Sequence, residues 1–430
     1  MVDKFIVSEL WYHGLLPRED IKAMLHKNGD FLVRSTEPVK GQPRQYVLSA
    51  CTSDGKEEDI KHFVLREGNG KIFIEKQGFE SITKLVEHHM ITGEPIHKTV
   101  RLKTAILRQE WEQAHQDVCL TKKLGEGAFG EVWKGTLKTK TGLVDVAIKA
   151  AKLESLNKEQ HPNVVKFYGV AAGQEPLYVM MELCDGGALD SALSKNSFKM
   201  EKKMEMIWQA GMGLAYIHEK NLLHRDIAAR NCLYGKGQVK ISDFGLSREG
   251  QTYTMDLHKK VPIRWLAPET IKTGLYNRKT DVFAYGIMAW EITENGKEPY
   301  PGMMVAEVVG KVNSGYRMSF APEVKKEFAD IILKHCWPEN ADQRWLMPEL
   351  VKWIAKNFQF KDKQPPSSPA GRTDSSIGRR SKEERSKMGP QNSRAQKIFP
   401  KEGLFKSLFK KRDANKISSM EEVSTAPPAK

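Results

Sequence analysis

The residues His224-Arg225-Asp226-Ile227-Ala228-Ala229-Arg230-Asn231, followed by Ser242-Asp243-Phe244-Gly245, constrain this chain more than any other stretch. The short step from Asp226 to Asn231 fits a compact loop, and Asp243 follows the strand-like Gln238-Val239-Lys240-Ile241. A fold that joins this loop to that strand end brings two carboxylates and an amide together. Asp226 is then placed to accept a hydroxyl proton and orient its oxygen. Asn231 and Asp243 supply hard oxygen ligands for a cation such as Mg²⁺, which bridges phosphate oxygens.

Upstream, Leu124-Gly125-Glu126-Gly127-Ala128-Phe129-Gly130-Glu131-Val132 contains G-x-G-x-x-G. Dinucleotide-binding folds share that pattern, but there the glycines lead from a strand into a helix. Here they lead into Val132-Trp133-Lys134-Gly135, and Val144-Asp145-Val146-Ala147-Ile148-Lys149 follows at strand spacing. Strand, glycine turn and strand make a lid whose small residues allow close approach of backbone to phosphates. Lys149 ends an apolar strand, where it either meets phosphate or is a solvated edge charge. Leu177–Glu182 reads as a buried strand running into the connector Leu183-Cys184-Asp185-Gly186-Gly187.

Together these segments resemble the protein kinases, with a bilobal fold over about residues 117–358. The resemblance implies an ATP site formed by Leu124, Gly125, Gly127, Gly130, Val132, Ala147 and Lys149. It makes residues 177–184 the hinge, with the backbone of Glu182 and Cys184 bonding adenine and Met181 behind the pocket. Asp226, Arg230 and Lys149 become catalytic, Asn231 and Asp243 bind metal, and ATP with Mg²⁺ (or Mn²⁺) is the implied cofactor set. Arg264-Trp265-Leu266-Ala267-Pro268-Glu269 matches the end of an activation segment. Asp281 opens an apolar helix and is expected to hold the catalytic-loop backbone, while Glu269 pairs with Arg344. Ala228-Ala229-Arg230 with Pro262-Ile263-Arg264-Trp265 resembles the tyrosine-specific branch; Arg230, set four residues after Asp226, suits the longer reach of a phenol. Tyr253, between Asp243 and Glu269, is the expected autophosphorylation site, answering to Arg225 or Arg248.

Residues 11–100 read as a smaller domain. Trp11-Tyr12-His13-Gly14 is followed by a helix-like 18–27, then by the strand Phe31-Leu32-Val33-Arg34. Further strands are expected at 45–51, 62–65 and 71–75, and a helix at 81–89. An arginine inside an apolar strand is costly unless an anion meets it. Either an internal carboxylate or a bound phosphate could do so. The pattern resembles a Src-homology-2 (SH2) domain, a central antiparallel sheet flanked by two helices. The resemblance makes Arg34, Arg18, Thr36 and His62 the phosphotyrosine pocket; Ser35 departs from the usual Glu, and Val64 stands where some relatives are basic. SH2-like and kinase-like domains in this order, over about residues 11–358, resemble the non-receptor tyrosine kinases of the Fes/Fer family. Tyrosine-phosphorylated proteins and protein tyrosine substrates are the implied partners.

Residues 101–116 read as a polar, helix-prone linker whose Trp111 either packs on the next domain or covers local surface. One departure stands out. Only eleven residues separate Lys149 from His161-Pro162-Asn163. Fully helical, they would span about 16 Å and leave nothing for the connections. The kinase family places there a helix whose Glu pairs with the strand lysine; Glu154 and Glu159 are the acidic residues available. The alternative function is therefore a catalytically weak phosphotyrosine-binding adaptor.

The net charge of +14 is concentrated at one end, with 17 Lys/Arg against 8 Asp/Glu in residues 361–430. Residues 359–430 form a basic tail expected to be disordered, starting near Gln364-Pro365-Pro366-Ser367-Ser368-Pro369. Within it Leu404, Phe405, Leu408 and Phe409 share one helical face ringed by lysines, fit for an anionic membrane, a partner groove or plain solvation. No motif supports nucleic-acid binding. Five scattered cysteines, no secretory h-region, Val2 in place of a myristoylation glycine and no apolar run of membrane-spanning length lead to the expectation of a cytoplasmic protein, peripheral at the plasma membrane if the tail binds there.

Overall fold

The structure, a computed structural model, describes residues 6–16, 18–37, 44–54, 57–127, 130–150, 161–255 and 261–360. Ala128, Phe129, Glu154, Glu159 and the 404–412 stretch lie outside the described residues.

In the first unit, strands β1 (Tyr12–Leu15), β2 (Asp30–Thr36), β3 (Gln45–Cys51), β4 (Ile60–Gly68), β5 (Lys71–Ile74) and β6 (Gln77–Phe79) follow one another across the sheet in chain order. The β2–β3–β4 centre is antiparallel, while β1 and the short β7 (Thr104–Ala105) pair parallel to β2. β2 is buried on both faces, and its period of two sorts its side chains. Phe31 and Val33 enter a core with Ile82, Leu85 and Val86 of helix α2 (Ile82–Thr92); Leu32 enters a second core with Leu16 and Ile21. Arg34 therefore lies on the Leu32 side. Ser81 caps α2 by accepting from the Lys84 N–H at 3.1 Å, and Gly93 closes it in the left-handed region.

The expected 18–27 helix is shorter: α1 covers Arg18–Ile21. The Asp30 carboxylate takes the N–H groups of His26 (3.1 Å) and Lys27 (2.9 Å), so those donors are satisfied by a side chain and the turn does not propagate.

The linker is also not helical. Ile106 N–H donates to Phe31 O (2.8 Å), while Val170 N–H donates to Trp111 O and Gln113 N–H to Val170 O (2.8 Å each). These donors are spent on strands of both domains, so tertiary pairing overrides local propensity. Trp111 packs on the Leu16–Ile21 core of the first unit. The same junction seats β1 against residues 172–173: Leu15 N–H reaches Ala172 O at 3.0 Å, and buried His13 meets both Glu112 carboxylate oxygens at 2.9 Å. Gly14 has φ +61°, and a Cβ there would sit 2.2 Å from Ala172 O, so conformation and contact both require glycine.

The second unit has two lobes. A five-stranded sheet comprises β8 (Val118–Gly127), β9 (Gly130–Thr139), β10 (Gly142–Ala150), β11 (Phe167–Ala171) and β12 (Tyr178–Glu182), ordered β11-β12-β10-β9-β8. The larger lobe is helical: α3 (Leu189–Lys195), α4 (Met200–Glu219), α5 (Pro268–Thr273), α6 (Arg278–Thr293), α7 (Val305–Asn313), α8 (Lys326–His335) and α9 (Met347–Phe358). Its core gathers around α6, buried from Thr280 to Thr293. Asn277 caps α6 from both directions with Thr280, a capping box. Short ladders carry the loops between: β13 (Leu222–Leu223) with β16 (Arg248–Glu249), β14 (Cys232–Gly235) with β15 (Gln238–Ile241), and β17 (Thr252–Thr254) with β18 (Leu275–Asn277).

Two histidines make stability pH-dependent. His161 accepts the Asn163 N–H on Nδ1 (3.1 Å) and stacks on Tyr216; burial, then Lys240, pushes its pKa down to about 4. Burial, then Arg18 and Arg34, pushes His62 to about 4 as well. The folded chain thus binds fewer protons than the unfolded chain below the ordinary histidine value of about 6.5. Stability falls as pH drops from about 6.5 toward 4, by roughly 2 kcal/mol per histidine after allowance for solvent. Urea unfolding at pH 7.5 and 5.0 measures this, and His161→Gln should show a smaller acid loss than the parent chain.

Candidate active site

The loop from His224 to Asn231 sits between α6 and the two-stranded β14–β15 hairpin. Asp281, near the start of α6, accepts the N–H of His224 (2.9 Å) on Oδ2 and of Arg225 (2.9 Å) on Oδ1, while His218 Nε2 lies 3.1 Å from Oδ2. Burial alone would raise the Asp281 carboxyl, but His218, His224 and the Arg225 N–H hold it below its ordinary value. Those contacts let Arg225 stay at φ +70°, a conformation that costs a non-glycine residue about 1 kcal/mol or more. His224 bonds Ser242 O through Nε2 (3.1 Å) and accepts the Asp226 N–H through Nδ1 (3.3 Å), which ties the loop to the strand end before Asp243.

Around Asp226 the charges are arranged in a chain. Arg230 Nη2 reaches Asp226 Oδ1 at 2.5 Å, and the guanidinium lies 4.0 Å from the centre of the Trp265 ring. Trp265 donates its indole N–H to Glu291 Oε2 (2.9 Å), which also accepts the Ala229 N–H (3.0 Å). Burial pushes the Glu291 carboxyl up to about 7. Glu291 carries no motif signal; its one mark in the sequence is an acidic residue inside an apolar helix, which demands partners. Asn231 donates its amide nitrogen to Asp226 O (2.7 Å), which turns its amide oxygen away from that bond. Asp243, at φ +59°, opens the single turn Phe244–Leu246, and Phe244 packs edge-on against His224. Asp226, Arg230, Asp243, Leu246, Val261, Pro262 and Trp265 line one cavity of about 450 Å³. Asp226 and Arg230 of the loop and Asp243 beyond β15 thereby share one cavity.

In the small lobe, strand register gathers the other expected residues. Lys149 stands opposite Val132 on one side and Val179 on the other; Ala147 faces Met181, and Gly125 faces Val132. Gly127 and Gly130 close the β8–β9 ladder, and Leu124 is half exposed. Glu182 donates its backbone N–H to Lys166 O (2.8 Å), and its carboxylate pairs with Lys240 (3.2 Å). Cys184 is half-buried, and burial raises its thiol to about 11. Among the described residues no group of three or more His, Cys, Asp or Glu could hold a metal. Asn231 and Asp243 offer two hard oxygens, which suits a cation completed by phosphate and water.

Tyr253 lies on β17, opposite Tyr276 of β18. Its ring is 3.9 Å from the Arg225 guanidinium and 5.4 Å from that of Arg248. In the first unit, Arg34 is buried and donates to Leu16 O (3.1 Å), Arg18 is exposed, and His62 Nδ1 lies 2.9 Å from Ser49 Oγ. Thr36 pairs with Gln45 at the end of β2. Arg18 and Arg34 both act on the His62 ring, so the three share one neighbourhood.

The chain is similar to known proteins over both units. Residues 118–354 match the family model described as protein tyrosine and serine/threonine kinase, and residues 11–89 match the SH2 domain model. Human tyrosine-protein kinase Fer is 38% identical over 372 residues, 81% of this chain and 44% of that protein. Fer-related kinase 1 of Caenorhabditis elegans is 36% identical over 377 residues, 83% of this chain and 95% of that one. The transforming protein Fps of Fujinami sarcoma virus is 33% identical over 363 residues, 80% and 40% of the respective chains. The chain thus spans less than half of Fer and nearly all of the nematode kinase.

Proposed function

The chain belongs to the Fes/Fer family of tyrosine kinases with an SH2 domain, and on that premise we propose that it transfers the γ-phosphoryl group of ATP to tyrosines of proteins docked by that domain. The observation that carries this reading is the shared cavity of Asp226, Arg230 and Asp243 walled by Trp265. A phenol entering between Pro262 and Trp265 puts its hydroxyl at Asp226, which accepts the proton and orients the oxygen. Arg230, 4.0 Å from the centre of the Trp265 ring, balances the Asp226 carboxylate. Lys149 meets the α- and β-phosphates, under the lid of Leu124, Gly125, Gly127, Gly130 and Val132. Adenine lies between Ala147 and Met181; the Glu182 N–H is already committed to Lys166, so adenine meets the Glu182 carbonyl and the Cys184 N–H. Asn231 and Asp243 would hold a divalent cation, Mg²⁺ or Mn²⁺, which would supply neutralisation of the phosphate charge.

Phosphorylation of Tyr253 places a dianion between Arg225 and Arg248, exchanging two cation–π contacts for charge-assisted hydrogen bonds. Arg34, with Arg18, Thr36 and His62, grips phosphotyrosine on docked proteins. His62 is neutral at physiological pH and serves as wall and donor, not as a charge. Arg34→Leu should weaken phosphotyrosine-peptide binding by roughly 10²–10³-fold, the loss of a bidentate buried contact. Titration calorimetry with a phosphotyrosine peptide reads this, with an unchanged unfolding midpoint as the control. Five free cysteines support a reducing, cytoplasmic setting.

The testing experiment supplies labelled ATP with Mg²⁺ and two peptides differing only in Tyr or Ser at one position. Label on the tyrosine peptide alone is expected; equal labelling of the serine peptide would refute the substrate class.

A further inference from the structure

A cavity of about 900 Å³, roughly twice the volume of the one at Asp226, lies elsewhere in the larger lobe. It is a groove between α4 and α9, closed on one side by the first residue of α6. Its floor and walls are apolar: Met212, Ala215, Leu346, Val351, Ala355 and Phe360. His161 stacked on Tyr216, and Phe360 stacked on Trp208, make rigid walls, since each aromatic is fixed by a neighbour. Leu346 stays 41% exposed, so apolar surface here remains open to solvent.

The rim is cationic. Arg278, Lys352 and Lys356 line the groove against a single carboxylate, Glu219. None of the three cations is ion-paired with a described residue. Arg278 makes one hydrogen bond, Nη2 to Asn221 Oδ1 at a long 3.3 Å, and its buried Nε has no hydrogen-bond partner among the described residues. A guanidinium with donors to spare beside a long apolar groove is matched to an anionic head on an apolar chain. We propose that the α4–α9 groove binds a long-chain carboxylate, its alkyl chain along Met212, Val351 and Ala355 and its carboxylate at Arg278 and Lys352.

The chain's own tail is the rival occupant, since Phe360, which lines the groove, is the last described residue before it. Charge argues against it: the apolar stretch at 404–412 carries Lys406, Lys410, Lys411 and Arg412, which would meet three more cations. The site also lies one side chain from the catalytic anchor. His218 lines the groove and bonds Asp281, which holds the His224 and Arg225 N–H groups.

The test is a fluorescence titration of the full chain with 11-(dansylamino)undecanoic acid. Saturable binding at one site per chain is expected, with dodecanoate displacing the probe at least about tenfold better than dodecanol, the worth of a charge-assisted hydrogen bond. Ala355→Trp, which fills the groove, should abolish binding, as should Met212→Trp from the opposite wall. The double variant Arg278→Gln with Lys352→Gln should weaken the carboxylate about tenfold or more and leave dodecanol unchanged. Circular dichroism confirms that each variant is folded. Full affinity in both tryptophan variants, equal competition by dodecanol, or displacement of the probe by a peptide of residues 401–412 would each overturn the assignment.

Discussion

Asp226→Asn lowers kcat for tyrosine-peptide phosphorylation by about 10³-fold, within the range for loss of a positioned general base. The asparagine keeps the shape of the side chain and its 2.5 Å neighbour Arg230, but it cannot take the phenolic proton. Asn231 still bonds the residue-226 carbonyl, so its side chain stays in place. KM for ATP should therefore hardly move, and the loss falls on kcat and kcat/KM alike, the mark of an interaction made in the transition state. Steady-state kinetics with ATP and peptide varied separately reads the split. A rise in KM for ATP at constant kcat would mean that Asp226 acts in binding.

Asp281→Ala is expected to destabilise the kinase domain by about 3–5 kcal/mol, the usual cost of removing one partner from a buried charge network. The backbone N–H groups of His224 and Arg225 lose their acceptor, and His218 loses its partner. Each orphaned buried donor costs roughly 1–3 kcal/mol. Arg225 is then no longer held at φ +70°, so the loop can relax away from the geometry that presents Asp226. Activity should vanish while phosphotyrosine-peptide affinity is retained, because the anchor lies wholly in the second domain. Scanning calorimetry shows the lowered transition, and peptide titration shows the intact first domain. A variant with a native melting profile and no activity would mean that the carboxylate matters for chemistry and not for holding the loop.

Much of this is legible in the sequence. β3 runs over Gln45–Cys51, the strand expected there, and the apolar run after Asp281 forms the buried α6. Such elements are read from one segment at a time, because period and burial coincide. Legibility ends where the partner is distant in sequence. Asp30, reaching back to His26 and Lys27, stops α1 early. The linker looks helical by composition, but its donors belong to β2 and β11, more than fifty residues from one side or the other. At the site, Asp226, Asn231 and Asp243 announce themselves by spacing, while Glu291 shows its purpose only once Ala229 and Trp265 are seen to converge on it. The groove behind α9 has no sequence signature, since Arg278, Lys352 and Met212 share nothing but position in the fold.

The central claim is that this chain, with eleven residues between Lys149 and His161, transfers phosphate to tyrosine. The most direct measurement incubates the purified full chain with labelled ATP, Mg²⁺ and a Glu/Tyr copolymer, then identifies the labelled amino acid after hydrolysis. Phosphotyrosine made by the parent chain, and lost in Asp226→Asn, is the predicted result. Incorporation no greater than that of Asp226→Asn, from protein that is folded and still binds phosphotyrosine peptide, would contradict it.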